Sequence, residues 1–211
     1  MEPFGQLSDA PRWLALAAAL GWASGIRLYA AVFLAGLAGF MGFVELPPGL
    51  QVLQHPAVLG VSGSLCLVEF FADKIPFVDT LWDTVHTVIR IPAGAALAAG
   101  ALGADSAAMG WIAALLGGGL AATSHTAKLT TRAAVNASPE PFSNVAVSLF
   151  EDGFVVFMLW LSATHPVVFA VALALTLAVA VVLMVVLARF LRAVAVRLRG
   201  FIGGRRPSQG S

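Results

Sequence analysis

Ionisable residues concentrate in the segment 69–90, EFFADKIPFVDTLWDTVHTVIR, although only 11% of the 211 residues are charged. On a helix, four of them recur at i, i+4, i+7 and i+11: Asp79, Asp83, His86 and Arg90. At about 100° per residue, these side chains fall within an arc of about 60° and form one polar stripe. Carboxylates bind cations, and a histidine titrates near neutral pH. The stripe therefore predicts a cation-binding or proton-binding function.

The spacing leaves the bound species open. Aspartate oxygens suit Mg²⁺ or Mn²⁺ and imidazole suits Zn²⁺, so Asp79, Asp83 and His86 are the candidate metal ligands. Asp83 and His86, three residues apart, are equally suited to relay protons. The cofactor is therefore unknown, and a divalent cation is one option.

Further ionisable residues lie in or beside apolar segments and are candidate members of the same site: Arg27, Glu69, Asp73, His125, Lys128, Glu151 and Asp152. A charge near the centre of a bilayer costs about 2.5–3.5 kcal/mol on insertion scales, so each of these residues requires a partner. We interpret the stripe as one wall of a polar cavity facing the cytoplasm, with Glu151 and Asp152 on the facing wall. Arg27 and Arg90 would balance the charge. The alternative is an internal ion-pair network that only locks helices together.

The elements that position these residues are membrane-spanning helices. Hydrophobic residues make up 59% of the chain and its mean hydropathy is +0.90, both far above the values of a soluble domain. We expect an all-α polytopic membrane protein forming a single domain, with about six spans and a short or re-entrant helix over 13–24. The expected spans are 26–43, 56–72, 84–103, 107–127, 144–163 and 166–190, followed by a basic cytoplasmic tail over 191–211.

The positions of Lys and Arg indicate an orientation. In the six-span arrangement all twelve lie on one side, which predicts that both termini are cytoplasmic. If residues 13–24 also cross the membrane, the N-terminus changes side. Lys74, Lys128 and Arg132 fit ordinary positive charges at helix ends. The basic run is confined to the Gly-rich tail FIGGRRPSQGS, so nucleic-acid binding is not indicated.

The run FFADKIPFVDTLWDTVHTVIRIPAG, with GIR at 25–27 and SLFEDG further on, resembles a family of small bacterial membrane proteins known as domain of unknown function 4126. The likeness extends from about Trp13 to Leu187. It implies a multi-pass protein of the bacterial inner membrane and provides no catalytic residues.

Three functions remain open. The first is a small transporter or channel for an ion, a proton or a small solute. The second is a membrane-embedded enzyme acting on a lipid-linked phosphate, with Arg27, Arg90 and Lys128 binding phosphate. No HExxH, GxSxG or GxxxxGK[ST] motif supports it, so an enzyme is less favoured. The third is a structural or partner-binding membrane subunit. The lipid bilayer is the expected partner, and homo-oligomerisation is left open.

Overall fold

The computed structural model describes residues 3–103, 107–137 and 141–203, and over these ranges the chain is helical, without β-strands. Its elements follow in this order: α1 (Pro3–Phe40), a 3₁₀ helix (Pro48–Gln54), α2 (Pro56–Ala72), α3 (Val78–Leu102), α4 (Ala107–Asn136), α5 (Pro141–Thr164) and α6 (Pro166–Gly203). The prediction of an all-α protein is confirmed. Residues 104–106, between the third and fourth expected spans, and residues 204–211, part of the expected tail, lie outside the described residues.

Five of these helices, α1 and α3 to α6, are long and apolar enough to cross a membrane. The 3₁₀ helix and α2 pass the same test together and are bent by 70°, which gives up to six spans in the described chain. The protein is therefore a helical, multi-pass membrane protein. The helices extend beyond the expected bounds at several ends, most of all α6, which continues past residue 190, and α4, which continues past residue 127.

Helix α1 is a hairpin of two arms that meet at a break in the backbone. Arg27 has φ −141° and ψ 75°, outside the helical region. Arg12 in the first arm and Ala38 in the second line one cavity of about 680 Å³. In a straight helix these two residues would lie about 39 Å apart, at about 1.5 Å per residue. The arms therefore fold back beside each other.

The first arm of α1 is the centre of the bundle. From Ala15 to Gly25 every residue except Ala18 is buried. Burial around the whole circumference means that other helices surround this arm. The segments expected at 13–24 and 26–43 are thus joined in one helix, and its break lies two residues after Gly25.

Small residues allow α1, α3 and α4 to approach closely. A Cβ on Gly117 of α4 would collide with Ala98 and with the carbonyl oxygen of Gly94, both on α3. A Cβ on Gly21 of α1 would lie 2.8 Å from the Cα of Gly117. Close approach through Gly and Ala is how membrane helices pack, so these glycines lie at helix interfaces.

The two ends of the bundle differ in chemistry. We call the end formed by the turn 73–77, the end of α4 and the start of α5 the charged end. The opposite end, formed by segment 41–47 and the α5–α6 turn, is the cavity end. Arg12 lies there, because it lines a cavity with Glu45 and Thr164. The expectation that all basic residues share one side does not hold for Arg12.

The turn at the charged end has an unusual backbone. Helix α3 begins at Val78, two residues after Pro76, and Phe77 between them has φ +70°. A bulky residue rarely adopts this left-handed conformation, so the surrounding contacts must hold it. Asp73, at the start of this turn, is fixed by ion pairs with Arg27, Lys128 and Arg132.

Candidate functional site

Among the described residues, eleven charged side chains form one connected ion-pair cluster at the charged end. Its members are the cations Arg27, Lys74, Arg90, Lys128 and Arg132 and the carboxylates Glu69, Asp73, Asp79, Asp83, Glu151 and Asp152. They come from α1 to α5 and from the turn between α2 and α3. All the site residues expected from the sequence, except the two histidines, lie in this cluster.

Arg27, at the break of α1, joins the hairpin to the turn and to α5. Its guanidinium pairs with Asp73, and its Nε lies 2.9 Å from Asp152 Oδ1. Its Nη2 donates to Ser148 Oγ at 2.9 Å and to the Ser148 carbonyl at 3.2 Å. The non-helical residue of α1 is therefore held by side chains from two other elements.

Lys128 joins the two walls that the sequence analysis expected. Its Nζ lies 3.0 Å from Asp83 Oδ1 on α3, 2.6 Å from Asp73 Oδ2 and 4.0 Å from Glu151 Oε2 on α5. The same Nζ donates to the carbonyl oxygen of Ile26 at 3.1 Å. The acids of α3 and α5 thus meet through a cation and do not face each other across open space.

Arg90 holds two carboxylates with one nitrogen. Its Nη2 lies 2.7 Å from Glu69 Oε1 and 2.9 Å from Asp83 Oδ1. Its Nη1 donates to the carbonyl oxygen of Gly25 at 3.3 Å. Glu69 and Asp83 therefore share one nitrogen of this guanidinium.

His125 lies beside the cluster and binds the backbone near the break. Its Nδ1 lies 3.1 Å from the Gly25 carbonyl oxygen, and its Nε2 lies 2.7 Å from Thr87 Oγ1. Ser124 Oγ donates to the Trp22 carbonyl at 2.7 Å. A break inside a membrane helix frees carbonyl groups from their helical partners, and polar side chains of α4 bind them here.

Arg132 belongs to the cluster, although its place in the sequence fits an ordinary positive charge at a helix end. It is fully buried, and its Nη1 donates to Asn144 Oδ1 at 2.6 Å and to the Asp73 carbonyl at 3.0 Å. Its Nη2 lies 2.7 Å from Glu151 Oε2, and its Nη1 lies 3.7 Å from Asp79 Oδ2. Asp79 thus enters the cluster through a residue that was not among the candidates.

The sequence did contain a signal for Arg132. His125, Lys128 and Arg132 fall at i, i+3 and i+7, which is one face of a helix. Asn136, one turn further along α4, donates to both oxygens of Asp79 at 3.2 and 3.3 Å. Helix α4 therefore carries a polar stripe that matches the stripe of α3.

His86 lies in aromatic surroundings. Its ring stacks on Trp82 with the centroids 4.0 Å apart and meets Tyr29 edge-on at 5.7 Å. Its Nδ1 lies 2.7 Å from the Trp82 carbonyl oxygen. Among the described residues no three His, Cys, Asp or Glu side chains are placed to hold a metal ion, so Asp79, Asp83 and His86 do not form such a group.

The cluster is closed at its core and exposed at its rim. In the core at most 1% of each side chain is exposed: Arg27, Glu69, Asp73, Asp79, Asp83, Arg90, Lys128 and Arg132. At the rim, the exposed fractions are 12% for Glu151, 18% for Lys74 and 25% for Asp152. Paired side chains fill the position where the sequence analysis expected an open cavity.

Four buried carboxylate oxygens have no hydrogen-bond partner among the described residues: Glu69 Oε2, Asp73 Oδ1, Asp83 Oδ1 and Asp83 Oδ2. Leaving a buried acceptor unsatisfied costs roughly 1–3 kcal/mol. These oxygens are therefore the positions in the cluster where an added proton, a cation or a water molecule would be most stabilising.

The turn at the charged end contains two groups with shifted pKa values. Burial by itself would raise the pKa of Asp73, but Lys128 and Arg27 outweigh it and lower that pKa below its ordinary value. Burial lowers the pKa of Lys74, although Asp152 at 3.3 Å acts in the opposite direction. The turn therefore contains an acid, Asp73, that stays ionised to lower pH than usual. It also contains a base, Lys74, that loses its proton at lower pH than usual.

Fold and cluster together define the class: a polytopic helical membrane protein with charged residues buried between its helices. The model of a family described as Domain of unknown function (DUF4126) matches residues 14–186. The chain belongs to this family, as the resemblance in its sequence indicated. No functionally curated protein and no solved structure matches the chain.

Proposed function

We propose that this protein is a proton- or ion-linked transporter or channel and that the ion-pair cluster is its coupling centre. The observation that carries the proposal is the charge balance of the cluster. Its described members are six carboxylates and five cations, which gives a formal charge of −1 with neutral histidines. An uncompensated buried charge is costly, so a bound proton or monovalent cation would stabilise the cluster.

The break in α1 supports the same function. Secondary transporters place substrate and ion sites at discontinuous helices, where unwound backbone meets charged side chains. Here the carbonyl oxygens of Gly25 and Ile26, next to the break, accept hydrogen bonds from Arg90 and Lys128. A change of charge in the cluster would therefore act directly on the hinge of the hairpin.

The sharing of Arg90 between Glu69 and Asp83 suggests how a proton would act. Protonation of Asp83 weakens its ion pairs with Arg90 and Lys128 and leaves Arg90 to Glu69. Loss of the proton restores the shared arrangement. Because Arg90 and Lys128 lie on α3 and α4, each protonation step would change how these helices bind α1.

We place the charged end at the cytoplasmic face of a bacterial inner membrane. Helix α6 carries Arg189 and Arg192 towards its C-terminal end, and such residues are enriched on the cytoplasmic side. Protons or ions would then enter from the cytoplasm past the partly exposed rim at Lys74 and Asp152.

Flux into proteoliposomes that contain a pH-sensitive dye tests the proposal. Gradients of monovalent cations, divalent cations and phosphate are applied in turn to wild type, Asp83→Asn, Glu69→Gln and Thr84→Val. We expect one gradient to drive a pH change inside the proteoliposomes with the wild-type protein. This change should be absent with the two acid variants, Asp83→Asn and Glu69→Gln. Thr84→Val should keep it, because Thr84 is next to Asp83 but on the exposed face of α3.

Two results would overturn the proposal. Flux that both acid variants retain would exclude the cluster as the coupling centre. No flux from correctly inserted wild type would favour the interfacial enzyme, to be assayed on lipid-linked phosphates, or a structural subunit, in which the variants lose only stability. The enzyme has less support, because carboxylates already hold the buried cations.

A further inference from the structure

The cavity at the opposite end of the bundle is unlike the cluster in its chemistry. Its volume of about 680 Å³ lies within the roughly 300–1,000 Å³ typical of small-molecule sites. It lies between the two arms of α1, the segment after α1 and the end of α5. Its body is apolar and includes Leu16, Leu34, Ala35, Leu46 and Leu159.

The mouth of this cavity combines a cation, an anion and aromatic rings. Arg12 and Glu45, both exposed, line the cavity together with Thr164. Trp13 and Trp160 belong to the same lining. Tryptophan is enriched at the membrane–water interface, where lipid headgroups lie.

The mouth also lies at the ends of long apolar helices. The apolar part of α1 starts at Ala10, just before Arg12, and α5 ends at Thr164. Glu45 follows the end of α1 by a few residues. An opening at this level gives an amphiphile access from the bilayer, with its polar part at the surface.

We infer that this cavity binds one zwitterionic phospholipid, with an acyl chain in the apolar body, the phosphate beside Arg12 and the headgroup ammonium beside Glu45. Arginine matches a phosphate as a charge-assisted donor. Glu45 repels a purely anionic headgroup but attracts an ammonium group. An apolar body combined with a mouth of mixed charge fits phosphatidylethanolamine better than phosphatidylglycerol.

Native mass spectrometry of the purified full chain tests this inference. The protein is delipidated in mild detergent and incubated with equal amounts of phosphatidylethanolamine and phosphatidylglycerol of the same chain length. We expect wild type to retain a single phosphatidylethanolamine. Ala38→Phe, which fills the cavity, should weaken retention by about tenfold or more. Ala170→Phe, on the exposed face of α6, should leave it unchanged.

Surface variants keep the test decisive if Ala38→Phe does not fold. Arg12→Gln should lower the retention of both lipids, and Glu45→Gln should shift the preference towards phosphatidylglycerol. Equal retention by wild type and Ala38→Phe, no retained phospholipid on wild type, or retention of a compound other than a phospholipid would overturn the inference. These results do not depend on flux, so they leave the transport proposal to its own test.

Discussion

At the residue scale, Arg132 contacts three carboxylates from different elements, Asp73, Asp79 and Glu151. Removal of its charge leaves these acids buried with fewer partners, and breaking such a pair typically costs about 3–5 kcal/mol. We therefore expect Arg132→Gln to lower the stability of the protein by about this amount. Heat-induced unfolding of the purified protein in detergent measures the effect.

The matched control for this prediction is Arg189→Gln. Arg189 is exposed on α6, so its loss should change the stability by no more than about 0.5 kcal/mol. Equal effects of the two substitutions would mean that burial in the cluster does not decide the outcome. Arg132 would then be the helix-end charge that the sequence suggested.

Asp73 predicts an acid dependence of stability. Because its pKa in the folded protein lies below the ordinary value of 3.8, the folded state binds fewer protons than the unfolded state near that pH. The stabilisation is thus complete above the unfolded pKa and is lost as the pH falls through the folded pKa. Asp73→Asn should unfold at a lower temperature than wild type at neutral pH, and the difference should shrink below about pH 4.

A difference between Asp73→Asn and wild type that stays constant with pH would contradict this prediction. Unfolding temperatures measured in parallel for the two proteins across the acid range distinguish the outcomes. Burial would then balance the effect of the nearby Lys128 and Arg27 and leave the pKa of Asp73 unshifted.

At the element scale, two glycines of α4 form a matched pair for testing helix packing. Gly117→Ala places a Cβ against Ala98 and the Gly94 carbonyl on α3, so α3 and α4 must separate. Gly119→Ala meets no atom within 4 Å. Alanine there should be neutral or stabilise the helix by about 0.5–1 kcal/mol.

We expect Gly117→Ala to unfold well below wild type in the same detergent assay, by about 1–3 kcal/mol as for other overpacked sites. Gly119→Ala should unfold at or above the wild-type temperature. If both variants behaved alike, the contact between α3 and α4 would be looser than the structure has it.

At the scale of the whole molecule, the hairpin of α1 decides on which side Arg12 lies. Arg12 shares the cavity end with Glu45, while the turn 73–77 lies at the opposite end of the bundle. Single cysteines introduced as Arg12→Cys and Glu45→Cys should therefore react with an impermeant maleimide from the same side of the membrane. Ile75→Cys should react from the other side.

These reactions are measured in intact cells and in inverted vesicles, with Cys66→Ala as the background. Labelling of Arg12→Cys and Ile75→Cys from the same side of the membrane would mean that α1 crosses the membrane once as a single span. It would restore the topology in which all basic residues share one side.

The sequence alone was sufficient for the properties that depend on local composition and spacing. Hydropathy over windows of about 20 residues identified the class of a multi-pass helical protein. The start of α2 at Pro56 and of α6 at Pro166 follows from residues that cannot continue a helix. The stripe on α3 and the need of each buried charge for a partner also followed from the sequence, because side chains repeat about every 3.6 residues.

Only the tertiary structure decided which charges pair and where the chain turns back. Composition did not reveal that α1 folds back at Arg27, because the hairpin depends on partners from α3, α4 and α5 that bind the freed backbone and the guanidinium. Arg132 entered the cluster, and Tyr29 came to lie against His86, for the same reason. For Arg132 and His86, the helix pattern fits a place inside or outside the cluster equally well. Contacts with helices distant in sequence decide between the two places.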